Sequence, residues 1–430
     1  MQHNIRPAKA PIHASISIPG SSSITNRALM LAALADGVSE ISGIRIDEDT
    51  KTFVNALRQV GIVTQLDEKS CSCIIAGGNG KVPKKQTTIW CADAEDAAHY
   101  LMTVCAASPG VHYFDTSPDL RERSFAGLLS ILSRQGMQLI PNDTVCMPFT
   151  IIGADSFLGG DIILDSSVTS TLVSALLLIA PYARATFNFN FNEVSGQEHI
   201  NMTCAMMAEF GVLTHRLHQG QFMVPVPQRY QARDYIVEPD FALASYFFAA
   251  AAVTSGEITI QPVQRSLSKQ MDVKCLSVLE KMGCSILETH AGLTLKGPAV
   301  LKGIEVSMRE FSDIFLMLAA IAPFADSPTR ITHIDKISPA ETALINTVKK
   351  ELEKMHIRVE AGEDWIKIFP GTPRGAVIHP HEDSRIAMAF SLIGLKVPGV
   401  VIENTQCIMQ VFPEFFTFWD ELAEHAHIGV

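Results

Sequence analysis

Short apolar runs rich in Ala, Leu and Ile recur along this chain at a fixed spacing. Arg27–Leu34, Leu172–Ala180, Ala244–Ala252 and Ile314–Ala322 carry few polar positions on any face. A helix that is apolar nearly all round is a buried one. The runs end in turns near Gly37, Gly110, Ala183, Gly256, Ser327 and Gly399, in steps of roughly 71 to 73 residues. Amphipathic helices are predicted between them at Thr52–Val60, Phe125–Gln135, Met202–Phe210 and Leu276–Met282. Each is followed by a glycine (Gly61, Gly136, Gly211, Gly283) able to take the left-handed cap. Alternating stretches such as Val359–Ile368 read as strands, and Gly77-Gly78-Asn79-Gly80 as a hairpin turn. The pattern predicts an α/β chain of six βαβαββ units in a closed or stacked architecture, with a site shared between units.

The composition supports a globular chain with large cores: 430 residues, 47% hydrophobic and 18% charged. The longest apolar stretches, about a dozen residues, fall short of the roughly 20 a membrane span needs. The first twenty residues have no apolar signal core, so a cytoplasmic location is expected. Nine scattered cysteines without a C-x-x-C pair read as reduced thiols. A net charge of −11 argues against nucleic acid and anionic membranes as partners. Any anion site must therefore be local.

The chemistry concentrates where the buried helices begin: Ser21-Ser22-Ser23, Glu95-Asp96, Thr169-Ser170, Asp240, Ser312-Asp313 and Asp383-Ser384-Arg385. Ser, Thr and Asp are the preferred N-caps, and for any single one of these that is the plain explanation. Six helix starts in one phase, with positive ends in related directions, would also make a site for anions.

These positions carry a resemblance. Pro19-Gly20-Ser21-Ser22-Ser23 followed by Asn26-Arg27-Ala28-Leu29 resembles the opening of the 5-enolpyruvylshikimate-3-phosphate (EPSP) synthase family. Leu120-Arg121-Glu122-Arg123 resembles its Lys-Glu-Arg-Pro segment, and Thr169-Ser170-Thr171 its Ser-Ser-Gln helix start. Ser312-Asp313, Glu341-Thr342, Asp383-Ser384-Arg385-Ile386-Ala387 and Phe412-Pro413 match later motifs, so the resemblance spans the chain. It implies an inside-out α/β barrel of two similar lobes, each of three βαβαββ units with buried parallel helices. One lobe would be residues 21–239 and the other 1–20 with 240–430, with the active site in the cleft between them. It also implies 3-phosphoshikimate 1-carboxyvinyltransferase chemistry: the enolpyruvyl group of phosphoenolpyruvate passes to a hydroxyl of shikimate 3-phosphate and phosphate leaves. No cofactor and no metal are expected, and the partner expected is a small anionic cyclic acid, bound by a monomer.

On the acceptor side the resemblance implies roles for Ser23 and for Arg27, which would meet the acceptor carboxylate. Thr169 and Ser170 would bind the 3-phosphate, Ser195 matches the family's substrate-binding serine before its Lys-Pro-Tyr segment, and His199 stands near the place of that tyrosine. Asp313 and Glu341 would be the catalytic proton-transfer carboxylates. On the donor side Arg123 and Arg385 match two of the family's phosphoenolpyruvate-binding cations. Ser22, Leu344 and Gln410 stand where three others are expected, and Ala340 replaces the lysine before the glutamate. Glu95 and Asp96 replace a neutral Gly-Thr pair. Charged hydrogen bonds contribute about 1.5–3 kcal/mol each, so three lost cations correspond to roughly 5–9 kcal/mol, or about 10³–10⁶ in affinity. Arg121 is a candidate substitute.

Three readings stay open. One is an enzyme with a shikimate-like acceptor and altered donor chemistry, such as elimination, dehydration or another donor. The others are a catalytically silent binding protein and orthodox enolpyruvyl transfer through substitute residues. His379 and His381, with Glu95 and Asp96, form a further candidate cation site of zinc or manganese character. His425 and His427 read as solvent-facing.

Overall fold

The structure is a computed structural model. It describes every residue except Met1, 165–167, 192–195, Gln219, Ala291, 311–313, 335–338, 425–427 and Val430, and for Glu310, 339–342, Gln410, Ile428 and Gly429 the backbone alone. The chain divides into two compact units, Pro19–Glu238 and Met1–Ile18 with Pro239–Val430.

In the unit Pro19–Glu238 each of three modules builds one four-stranded sheet. Gln86–Trp90 pairs in parallel with Gly110–Asp115, which pairs antiparallel with Phe149–Gly153, which in turn pairs with Gln138–Ile140. Gly160–Leu164, Phe187–Phe191, Gln221–Val224 and His215–His218 repeat that order. The first module borrows its leading strand, because Tyr235–Ile236, from the end of the unit, lies parallel to Val38–Ser42. The other unit mirrors the exchange: His13–Ser17 lies parallel to Glu257–Gln261. The borrowed strands explain how a chain with two crossings closes both units without free first strands.

The first helix of each module is buried as its all-apolar face requires. In Ser22–Leu34 eleven residues are buried, and Phe241–Thr254 is buried almost throughout. Each unit packs its helices and inward strand faces into its own apolar cluster. The amphipathic helices end as their glycines dictate: Glu48–Gln59, Ala126–Arg134, Gln197–Glu209 and Cys275–Lys281 run out just before Gly61, Gly136, Gly211 and Gly283. All four glycines have φ between 88° and 104°.

Two local readings need correction. The stretch Val359–Ile368 is two strands, Val359–Ala361 and Trp365–Ile368, paired antiparallel. Gly362 and the two acids after it turn the chain, with the Gly362 N–H donating to the Trp365 carbonyl at 2.9 Å. Gly77-Gly78-Asn79-Gly80 is no hairpin turn, because the strands it joins, Ser72–Ala76 and Gln86–Trp90, lie in different sheets. Its amides instead satisfy the end of the helix Ser22–Leu34. Gly78 donates to Ala33, Asn79 to Ala35 and Gly80 to Leu34, at 2.8 to 3.1 Å. The last carbonyls of a helix have no intrahelical donor, and here a crossing loop supplies three.

That docking requires a bare backbone. A Cβ on Gly77 would stand 2.2 Å from the Ala35 carbonyl oxygen and 2.6 Å from that of Ala32. Gly77→Ala is therefore expected to destabilise the fold by about 1–3 kcal/mol, as overpacking does. Gly127 lies exposed inside a helix with its nearest neighbour at 3.4 Å, so Gly127→Ala should be neutral or stabilising by up to about 1 kcal/mol. Urea unfolding of both variants checks the contrast.

Candidate functional site

Arg27 lies on the second turn of the helix Ser22–Leu34 and is 2% exposed. Its Nε donates to Thr203 Oγ1 at 2.7 Å, Nη2 to Ser174 Oγ at 3.2 Å and Nη1 to the Ser23 carbonyl at 2.9 Å. All three acceptors are neutral oxygens. Among the described residues no carboxylate stands within ion-pair distance of the guanidinium. A buried charge normally has a counter-charge, so this cation is held in place without being neutralised.

The groups behind Arg27 lead directly to the next predicted residues. Thr203 Oγ1 also lies 2.8 Å from the His199 carbonyl and 2.9 Å from Ser174 Oγ. His199 begins the turn of the helix Gln197–Glu209 that Thr203 completes. Gly196, at φ 75°, caps that helix, and a Cβ there would meet Ser170 Oγ at 2.7 Å and His199 Cδ2 at 3.3 Å. Ser170 and His199 thus flank Gly196. Thr169 is exposed and acts as the N-cap of Ser170–Ile179, accepting from the Leu172 amide at 3.3 Å. Ser22 and Ser23 are half-buried in the first turn after the N-cap Ser21. Ser195 lies outside the described residues.

A second set of charges in the same unit is acidic. Asp96 links three helices: it accepts from Thr171 Oγ1, in the first turn of Ser170–Ile179, at 3.1 Å and, at a long 3.5 Å, from Asn26 Nδ2 in the second turn of Ser22–Leu34. Glu95 opens the helix Glu95–Ala106 and stands 3.7 Å from Arg123, both largely exposed. Two acids in a first turn also suit the positive end of a helix. Arg121 is no substitute cation, because its Nε and Nη2 are committed to Asp115 at 3.0 and 2.9 Å. Arg45, 6% exposed, pairs with Asp47 at 2.9 Å. Asp49 shows an open surface, yet its carboxyl is hemmed in by protein. That partial burial, then the charges of Asp47, Asp93 and Asp96, raises its pKa from 3.8 to about 6.

In the other unit Arg385 is held by Asp383, its Nε at 3.0 Å and Nη2 at 2.8 Å from the two carboxylate oxygens. Asp383 also caps the helix Ser384–Gly394 through the Arg385 amide. Leu344 is half-buried and packs against the apolar core. His379 Nδ1 contacts Glu403 at 2.5 Å. Among the described residues no group of three or more His, Cys, Asp or Glu is placed to hold a metal. Asp313, His425 and His427 lie outside the described residues, as do the side chains of Glu341 and Gln410.

Sequence reasoning missed Ser174, Thr203, Arg45, Asp47 and Asp49. Ser174 carried a signal as a polar residue inside an otherwise apolar helix, and Thr203 as the residue one turn beyond His199. Nothing in the local sequence marks the other three.

Comparison with known proteins identifies the family. The family model for EPSP synthase (3-phosphoshikimate 1-carboxyvinyltransferase) matches residues 7–419. A protein of Trichormus variabilis named 3-phosphoshikimate 1-carboxyvinyltransferase is 40% identical over 412 residues, covering 95% of this chain and 96% of its own length. One of the same name from Syntrophobacter fumaroxidans is 33% identical over 426 residues, covering 98% and 100%. The fold matches EPSP synthase from Acinetobacter baumannii with a TM-score of 0.86 at 21% identity, covering 98% of this chain and 97% of the other. It also matches the enolpyruvyl transferase NikO of Streptomyces tendae at 0.73 and 16% identity, covering 97% and 96%. The chain belongs to the EPSP synthase family.

Proposed function

We propose that this chain is an enzyme that binds a shikimate-type cyclic acid on the family's acceptor residues and couples it to a donor other than freely bound phosphoenolpyruvate. The observation that carries the acceptor half is Arg27, a buried guanidinium bonded only to neutral oxygens. An anionic ligand would supply the missing counter-charge, and a carboxylate accepts a guanidinium fork bidentately. Ser23, Thr169 and Ser170 extend the acceptor residues toward a phosphate, and Ser195 is proposed to join them from the family resemblance. Asp313 and Glu341 would move the protons, one at the acceptor hydroxyl and one at the carbon that gains or loses hydrogen.

The donor half rests on charge. Arg123 and Arg385 each already face a carboxylate, Glu95 and Asp383. Leu344 lies in apolar packing and Arg121 is bound to Asp115. In the unit Pro19–Glu238 a small trianion at Arg123 would have to displace Glu95 beside the acids Asp47, Asp49, Asp93 and Asp96. The rewriting supports elimination, dehydration or a less anionic donor. A second reading, ordinary enolpyruvyl transfer, is favoured by the name of the relative that is 40% identical over 96% of its own length.

Calorimetry separates the two. Shikimate 3-phosphate should bind with micromolar affinity, while phosphoenolpyruvate should give no saturable heat below millimolar, about 10³-fold or more weaker. Phosphate release from the pair, abolished by Glu341→Ala, together with micromolar phosphoenolpyruvate binding, would establish ordinary transfer. Absence of any binding by shikimate 3-phosphate or shikimate would end the acceptor reading.

The acidic cluster also leaves a pH signature. The folded-state pKa of Asp49, about 6, lies above its ordinary 3.8. Well below pH 3.8 the group is protonated folded or unfolded. As pH rises toward 6 the unfolded chain releases its proton first, so stability is lost across that window. Asp49→Asn should differ least from the parent at pH 4 and melt higher above pH 6. Solvent screening limits the gain to about 1 kcal/mol, or roughly 1–3 °C. Thermal melts at pH 4, 5, 6 and 7.5 check the trend.

A further inference from the structure

We infer that Thr203 and Ser174 are positioning residues that decide which edge of Arg27 faces the ligand. The inference rests on the acceptor reading above and adds how the cation is aimed. Both residues are fully buried and neither needs to touch a ligand. Thr203 Oγ1 takes the Nε–H of Arg27 at 2.7 Å, and Ser174 Oγ takes an N–H of Nη2 at 3.2 Å. Together they occupy the side-on edge of the guanidinium.

A guanidinium has five N–H donors. Thr203, Ser174 and the Ser23 carbonyl use three of them. One N–H is left on each terminal nitrogen. Those two can receive a carboxylate end-on, as a fork.

The hydroxyls are themselves fixed. Thr203 Oγ1 lies 2.8 Å from the His199 carbonyl and 2.9 Å from Ser174 Oγ. Its single proton goes to one of them, which leaves its lone pairs for Arg27. Thr203 hangs from the helix Gln197–Glu209 and Ser174 from Ser170–Ile179, so two helices aim a cation carried by a third. Without them the side-on edge would be free to rotate toward the ligand or to lose its place altogether. A pre-organised fork has less to lose on binding than a mobile one.

The test compares two ligands: shikimate 3-phosphate and its analogue with CH2OH in place of the carboxylate. Calorimetry is run on the full chain and on Thr203→Val, Thr203→Ser, Ser174→Ala and Arg27→Gln, each checked for its melting temperature. Thr203→Val should weaken shikimate 3-phosphate about tenfold and leave the alcohol analogue unchanged, since only the carboxylate reads the fork. Thr203→Ser should restore binding to within about threefold of the parent, because it keeps the hydroxyl. Ser174→Ala should give a smaller loss of the same kind, and serves if Thr203→Val does not fold. Equal weakening of both ligands by Thr203→Val and Ser174→Ala would mean a merely structural role and overturn the inference. So would parent-like binding by both variants while Arg27→Gln loses the carboxylate preference. Parent-like binding by Arg27→Gln, or no binding by the unaltered chain, would instead overturn the acceptor reading, and this inference with it.

Discussion

A buried guanidinium with no counter-charge among the described residues is the constraint around which the unit Pro19–Glu238 is arranged. Arg27 is 2% exposed and its hydrogen bonds end on two hydroxyls and a carbonyl. Burying a charge costs stability unless its hydrogen-bonding capacity is met. Three helices contribute to meeting it. Ser22–Leu34 carries the arginine and Ser170–Ile179 and Gln197–Glu209 carry the hydroxyls. Among the described residues the geometry satisfies donors while leaving the charge uncancelled.

The repeating modules make this convergence possible. Asp96, in the first turn of Glu95–Ala106, reaches Thr171 in the first turn of Ser170–Ile179 and, at a long 3.5 Å, Asn26 one turn into Ser22–Leu34. One function of Asp96 is therefore visible without any ligand: it locks helix starts whose polar ends would otherwise be only loosely related. The borrowed strands Tyr235–Ile236 and His13–Ser17 complete the first sheet of each unit from its far end or from the chain start. The same exchange forces the chain to pass from one unit to the other twice.

Much of this was legible in the residues. The six-fold spacing was readable because apolar helices and glycine caps repeat with it, and both are local signals. Ser21, Thr169, Asp240 and Asp383 were readable as caps, and each accepts an amide from its own first turn. The errors came where a local pattern had a non-local use. Gly77-Gly78-Asn79-Gly80 has turn composition, but its amides serve a helix some forty residues earlier. Val359–Ile368 alternates as a strand should, yet Gly362 breaks it into a hairpin whose two halves keep the alternation. Arg121 looked like a free cation because Asp115, its partner, belongs to the preceding strand. Thr203 and Ser174 carried no chemistry of their own in the sequence; their importance is entirely that Arg27 reaches them.

The charges on the donor side show why counting residue types is not enough. A cation contributes to an anion site only with what its neighbours leave uncancelled. Arg123 faces Glu95 across 3.7 Å in the open, where the pairing is weak and solvent screens it. Arg385 faces Asp383 across 2.8 Å, half-buried and bidentate, where the pairing is stronger. An incoming anion would therefore recruit Arg123 far more readily than Arg385. Asp383 is also tied to its own helix start through the Arg385 amide, so it cannot move aside without uncapping Ser384–Gly394. The retained arginines are thus unequal, and the weaker of the two pairings lies in the same unit as Arg27.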